Sequence, residues 1–313
     1  MARAAGLSSF CGSCAGAVSL SPVASPVALV SCDSARDNDT DLPLIVRALG
    51  DRGIVTEIVD WDDPLADWGR FGAAIVRSPW DYHRRYDEFL GWVDRVSRET
   101  ALHNPAEVIR WNTDKTYIAE LAAAGIPVIP TTYVRGAEDL VLANDLIKGD
   151  VVVKPTVSAG SNDTERHVSS PASAAAHITS LVDAGKTAMV QPYQRFIDDN
   201  GETGMLYFNG GFSHAFRKGA ILAAGGNERN SLYVVEDIGP RTANPAEREL
   251  GDAVMAHVTR KFGGAPLYAR IDVVRGSIGA PVLMELEMAE PSLFLHTDPQ
   301  APARFAAAVT HRR

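Results

Sequence analysis

LYARIDVVRGSIGAPVLMELEM, residues 267–288, reads as two strands joined by a loop that contains Gly276 and Gly279. Residues i and i+2 of a strand share a face. Arg270 and Asp272 therefore point one way on the first strand, as do Glu285 and Glu287 on the second. With the loop centred near residue 278 or 279, Asp272 lies opposite Glu285 and Arg270 opposite Glu287. Four charges then project from one face, while Ile271, Val273, Leu283, Leu286 and Met288 make the other face apolar. Three carboxylates at ~5 Å spacing repel by about 3 kcal/mol per pair at an effective dielectric near 20. One arginine cannot offset every pair, whereas a divalent cation can, and hard oxygen ligands suit Mg²⁺ shared with phosphate. The competing account is a solvated hairpin face with one cross-strand Arg–Glu pair.

Working upstream, VVVKPTVSAGS (151–161) places Lys154 at the end of an apolar strand, ahead of a small-residue loop. A lysine there neutralises phosphate while loop amides approach its oxygens; a strand-end lysine facing solvent before an ordinary turn is the alternative. The chain contains no GxxxxGK[ST] and no GxGxxG, which excludes the commonest phosphate loops. NTDKTYIAELAAA (112–124) predicts a helix with Thr113 as N-cap and Gly125 as its end, carrying Lys115, which by itself is a surface lysine. AMVQPYQRF (188–196) runs a strand into a proline-containing link. A hairpin joins 205–208 to 212–216 through Asn209-Gly210, a strong two-residue turn signal. A helix follows at about 246–262.

The N-terminal third predicts an open α/β sheet. PVALVSC begins it at Pro26, and Leu42, Ile45, Val46 and Leu49 then mark a helix face. Strands follow at 54–61 and 71–78, with a helix carrying Tyr86, Phe89, Leu90 and Val93. The Ser/Ala/Gly-rich leader, 1–26, is expected to be disordered or to reflect an early start codon. Its Cys11-x-x-Cys14 lacks partners for a four-ligand metal site.

Of the 313 residues, 39 are acidic and 30 basic, a net charge of −9, which argues against nucleic acid as a partner. No apolar run reaches the ~18 residues of a membrane span. Three cysteines suit a reducing compartment, so a cytoplasmic protein is expected, with self-association left open.

Lys115, Lys154 with its Gly/Ser loop, the VQPY link, the ARID strand and MELEMAEPS, in this order, resemble the ATP-grasp superfamily, glutathione-synthetase-like branch. RSPWDY (77–82), WNTDKTY (111–117), GFSHAFRK (211–218) and ELEMAEPSLFL (285–295) are similar to the subgroup of cyclo-ligases that close O-ureidoserine into a ring. The resemblance implies an α/β (α+β ATP-grasp) architecture, an N-terminal open α/β domain (27–110) followed by two α+β subdomains (111–190 and 191–313) clasping ATP. It implies that Lys115 and Lys154 contact phosphates, that Ser158, Gly160 and Ser161 fold over them, and that Gln191, Pro192 and Tyr193 meet adenine. Glu202 matches the ribose acceptor, and Asp272, Glu285 and Glu287 match the Mg²⁺ ligands, with Glu287 in place of the usual asparagine. Arg270 matches the arginine that stabilises the anionic intermediate. Arg217 and Lys218 lie where the family reaches phosphate or substrate, and 219–231 resembles its mobile loop.

Two positions depart from the pattern: Phe196 stands where relatives often carry an acid, and Gly204 where a polar residue is common. An amino-acid-like small molecule is the implied substrate, with Arg77, Asp81, Tyr82 and Glu290 as candidate contacts. The implied reaction is an ATP- and Mg²⁺-dependent ligation, in which a carboxylate or ureido group is activated as an acyl phosphate for attack by an amine. The alternatives are a nucleotide-binding regulator on a decayed scaffold of this kind, or an acidic surface on an unrelated α/β protein.

Overall fold

The computed structural model describes residues 25–220, 222 and 237–312. Three sheets organise them. The first is parallel, in the order β2-β1-β3-β4, from β1 (Val27–Ser31), β2 (Thr56–Asp60), β3 (Ala73–Ser78) and β4 (Leu102–His103). Its central strands β1 and β3 are buried throughout, as a parallel sheet covered on both faces requires. The second is antiparallel, in the order β5-β8-β6-β7, from β5 (Thr132–Val134), β6 (Val151–Pro155), β7 (Glu165–His167) and β8 (Ala188–Pro192). The third, also antiparallel, runs β11-β10-β9-β12-β13, from β9 (Glu202–Phe208), β10 (Gly211–Lys218), β11 (Ile238–Arg241), β12 (Tyr268–Arg275) and β13 (Pro281–Glu287).

The β9–β10 hairpin turns through Asn209 (φ 48°) and Gly210 (φ 79°), the paired positive angles that an Asn-Gly turn supplies. The β12–β13 register places Asp272 opposite Glu285 and Arg270 opposite Glu287, as the loop arithmetic requires. Beyond Asp272 a β-bulge intervenes, because Val273 pairs with Leu283 and Met284 is the extra residue. The bulge keeps Leu283 on the buried side with Leu286, which strict alternation would forbid, and brings Met284 to the side of Glu285.

Two cores tie the sheets to one another. The terminal helix Ala301–His311 contributes Phe305 and Val309 to a core shared with Val27, Leu29 and Ile75 of the parallel sheet and Leu206 and Phe208 of β9. The first described strand and the last described helix therefore share one core. A second core joins Tyr117, Ile118 and Leu121 to Val254 and Val258 of the helix Pro245–Phe262 beneath β12 and β13. Asn104 and Asn112 clamp the same hairpin: the Asn104 amide donates to the Tyr268 and Met288 carbonyls at 2.9 and 2.8 Å, and the Asn112 amide donates to Leu286 O at 2.7 Å.

Several expectations are corrected. The single helix over 112–124 is two helices, Ala106–Thr113 and Tyr117–Ala123, and Thr113 closes the first rather than capping the second. Asp114 breaks them with an extended backbone and accepts the Thr116 N–H at 3.0 Å, while Lys115 N–H bonds Thr156 O at 2.9 Å. Lys115 thus sits in a link tied to the second sheet. The boundary expected after residue 110 falls inside the first of these helices, and that after 190 cuts β8, whose Gln191 and Pro192 pair with Val152 and Val151. Between residues 127 and 134 the chain forms β5 and a bridge from Val128 to Leu283. The leader with its Cys11-x-x-Cys14 and most of 219–231 lie outside the described residues. No described helix is long and apolar enough to cross a membrane.

Candidate active site

A cavity of about 530 Å³ opens between the second and third sheets, with the residue 80–82 turn and the 290–296 segment closing the side towards the parallel sheet. That volume is in the range of small-molecule sites. Lys115, Lys154, Ser158, Gly160, Ser161, Gln191, Pro192, Tyr193, Glu202, Lys218, Arg270, Asp272, Glu285 and Glu287 all line it. Residues separated by up to 172 positions are brought together because β6 and β8 of one sheet face β9, β12 and β13 of the other.

The charged centre is arranged around Arg270. Its Nε lies 3.0 Å from each Asp272 oxygen, its Nη2 is 2.8 Å from Asp272 Oδ2, and Nη2 also bonds Glu287. Glu285 turns instead to Lys115, whose Nζ is 3.3 Å from Oε1 and donates to the Ser158 carbonyl at 2.9 Å. Lys115 therefore ties the Gly/Ser loop to the acidic hairpin. The three acids are drawn to two different cations, and their oxygens are not gathered within 4.8 Å of one another.

Electrostatics separates these groups. Burial pushes Glu287 up to about 8, with Glu285 and Asp272 adding to it and Arg270 opposing. Burial works the same way on Glu285, but Lys115, Lys154 and Arg270 overturn it and hold that carboxyl down to about 2. Burial also raises Glu202 and Glu290 to about 7. Burial lowers Lys154 and would lower Lys115 too, had Glu285, Glu287 and Glu290 not raised it. Perturbed groups of both signs converging in a cleft mark a functional site.

The donor set fits a hard divalent cation: carboxylates lining one cavity, one of them raised to about 8 by its burial. Glu202 lines the cavity, and its Oε2 is buried without a hydrogen-bond partner. Beside it, Ile129, Ile197 and Met284 line an apolar wall next to Gln191 and Tyr193. The sequence reading missed this wall; its signal was the bulge at Met284, which alternation alone does not reveal.

Not every expected residue is here. Arg217 does not line the cavity; it pairs with Asp237 at 2.7 Å, since neighbours on a strand face opposite ways and Lys218 takes the inward side. Arg77 is wholly buried, donating to Pro291 O at 2.9 Å beside Asp41 at 3.9 Å, and Asp81 accepts from the Trp61 indole and from Arg85. Both hold the framework. Tyr82 and Glu290 do line the cavity. Gly204 is a packing requirement: a Cβ there would lie 2.1 Å from the Phe216 ring. Phe196 is capped by the Arg275 guanidinium, 4.4 Å from its centroid.

Residues 27–104 match the family described as D-cycloserine synthetase DcsG, N-terminal domain. The chain is 38% identical to the cycloserine biosynthesis protein DcsG of Streptomyces lavendulae over 283 residues, covering 88% of this chain and 94% of that one. The crystal structure of D-cycloserine synthetase DcsG superposes with a TM-score of 0.84 at 36% identity, over 91% of this chain and 99% of the other. The D-alanine–D-alanine ligase of Bacillus anthracis, solved with ATP, gives a TM-score of 0.62 at 11% identity, over 92% and 97%, which is a likeness of fold.

Proposed function

The chain belongs to the DcsG family of ATP-grasp ligases and is an ATP-dependent ligase, and from that premise we propose that it closes an O-ureidoserine-type amino acid into cycloserine. The observation that carries this reading is the cavity itself: acids on β12 and β13 gathered with Arg270, Lys115 and Lys154, with Tyr82 and Glu290 lining the same space.

Asp272, Glu285 and Glu287 would hold Mg²⁺, which would supply positive charge to the nucleotide phosphates as a Lewis acid. Lys154 and Lys115 would neutralise the phosphates, with the 158–161 turn covering them. Gln191, Pro192 and Tyr193 would border the adenine against the Met284 wall, and the free oxygen of Glu202 would accept from a ribose hydroxyl. Glu290 and Tyr82 stand where an amino acid's ammonium and polar groups would be met. Phosphoryl transfer to the substrate carboxylate releases ADP; attack of the oxygen-bound ureido nitrogen on that carbonyl then expels phosphate and closes the ring, and hydrolysis of the carbamoyl group left on that nitrogen, released as carbon dioxide and ammonia, gives cycloserine. Arg270 would stabilise the charge that builds on the carbonyl oxygen. Positioning and charge compensation are the protein's main contributions to such chemistry. Reading the protein as a non-catalytic regulator gains no support from relatives named as synthetases and ligases.

The test is ADP release measured with Mg·ATP and O-ureido-D-serine, against D-alanine and against no amino acid. Release that requires the ureido amino acid, with cycloserine as product, is the expected result. Release supported equally by D-alanine would assign the cavity to a general carboxylate–amine ligase instead.

A further inference from the structure

On the far side of the second sheet a different group converges. Glu165 and His167 occupy alternate positions of the edge strand β7, so they share a face, and His177 reaches them from the helix Pro171–Asp183. His167 Nε2 and His177 Nδ1 are 3.2 Å apart, and Glu165 Oε2 lies 3.8 Å from each. Among the described residues this is the group of three His, Cys, Asp or Glu side chains whose donor atoms gather within 4.8 Å.

We propose that Glu165, His167 and His177 form a binding site for a Zn²⁺-class divalent metal, separate from the catalytic cavity. Three features carry this. With metal–ligand bonds of ~2.0–2.1 Å, the edge of a tetrahedral site is about 3.3 Å, and all three separations are within about half an ångström of it. At 3.8 Å the carboxylate oxygen is beyond hydrogen-bond distance of both ring nitrogens and equidistant from them, the placement of a third ligand. The outer bond of His167 is that of a metal-binding histidine, whose second nitrogen is held by a neighbouring group. His167 Nδ1 is 3.0 Å from the Ser173 hydroxyl. Ser173 and His177 are four residues apart, on one helix face.

Two imidazoles and one carboxylate select Zn²⁺ or a neighbouring transition metal over Mg²⁺ or Ca²⁺. His167 is buried, whereas Glu165 and His177 are partly exposed, so water can complete the coordination. The ion would act as a staple. Thr164, next to Glu165, lines the catalytic cavity, and β7 pairs with β6, the strand that carries Lys154. A metal here anchors the foot of the 156–164 loop to the helix behind it.

Zn²⁺ is titrated calorimetrically into the tag-free, chelator-treated full chain in excess Mg²⁺, with Co²⁺ absorption reporting the geometry. The proposal expects one Zn²⁺ per chain and a tetrahedral Co²⁺ spectrum. His177→Asn and Glu165→Gln, both at partly exposed positions, should each weaken that binding at least about a hundredfold, and Ser173→Ala about 10–100-fold. Cys11→Ser/Cys14→Ser and Glu285→Gln should leave it unchanged, which separates this site from the leader cysteines and from the catalytic acids. The proposal is overturned by no Zn²⁺ binding tighter than millimolar, or by binding that survives in folded His177→Asn and Glu165→Gln.

Discussion

Arg270 and Asp272, two positions apart on β12, form a buried chelate in which the guanidinium meets both carboxylate oxygens, at 2.8–3.0 Å. The same arginine reaches across the ladder to Glu287. A cation entering between the strands must therefore compete with Arg270 for two of its three ligands, and with Lys115 for the third. The site is charge-balanced by residues that the proposed chemistry would reassign.

Glu285→Gln should lower kcat by at least about a hundredfold, roughly 2.7 kcal/mol in the barrier, because it removes a ligand while leaving Arg270 paired. Asp272→Asn should do the same and also lower Tm, since it strips a buried guanidinium of its chelating partner. Steady-state rates and thermal melts of both variants check this; near wild-type turnover in either would remove that residue from the metal site.

Lys154→Met should raise the KM for ATP about 10–100-fold, the usual worth of a charged hydrogen bond. The same change should raise the Tm of the nucleotide-free protein, because burial disfavours the ammonium that is removed. An unchanged KM would take Lys154 out of the phosphate site.

Stability of the nucleotide-free protein should fall as pH rises from 6.5 to 8. Glu202 and Glu290 near 7 and Glu287 near 8 bind protons in the folded state that the unfolded chain has already released, so the folded form is progressively penalised. The buried histidines His103 and His214, both lowered to about 4, oppose this only below about pH 6.5. Saturating Mg²⁺ and a non-hydrolysable ATP analogue should flatten or reverse the slope, since ligation favours ionised Glu287. Melting curves across the interval decide it, and a slope unaffected by the ligands would contradict it.

Gly204→Ala should cost about 1–3 kcal/mol, because its Cβ would enter the Phe216 ring. Phe216→Leu should recover part of that loss in the double variant, a coupling expected only of residues in contact. Additive losses in denaturant unfolding would show that the glycine serves another purpose.

What was legible in the sequence was local and periodic. Strand alternation and loop length placed Asp272 opposite Glu285, and Asn209-Gly210 specified its hairpin, because each depends on a few neighbouring dihedral angles. The ordered motifs likewise announced the family and the acids, lysines and arginine of the cavity. Three-dimensional packing decided the rest. It drew Lys115 out of a helix and onto Ser158, turned Arg217 to the rim while Lys218 went inward, and buried Arg77 against Pro291. It also set Glu165 and His167 against His177 across a strand and a helix. Contacts between elements depend on bulges, helix breaks and the relative placement of sheets, and no short-range spacing along the chain encodes these.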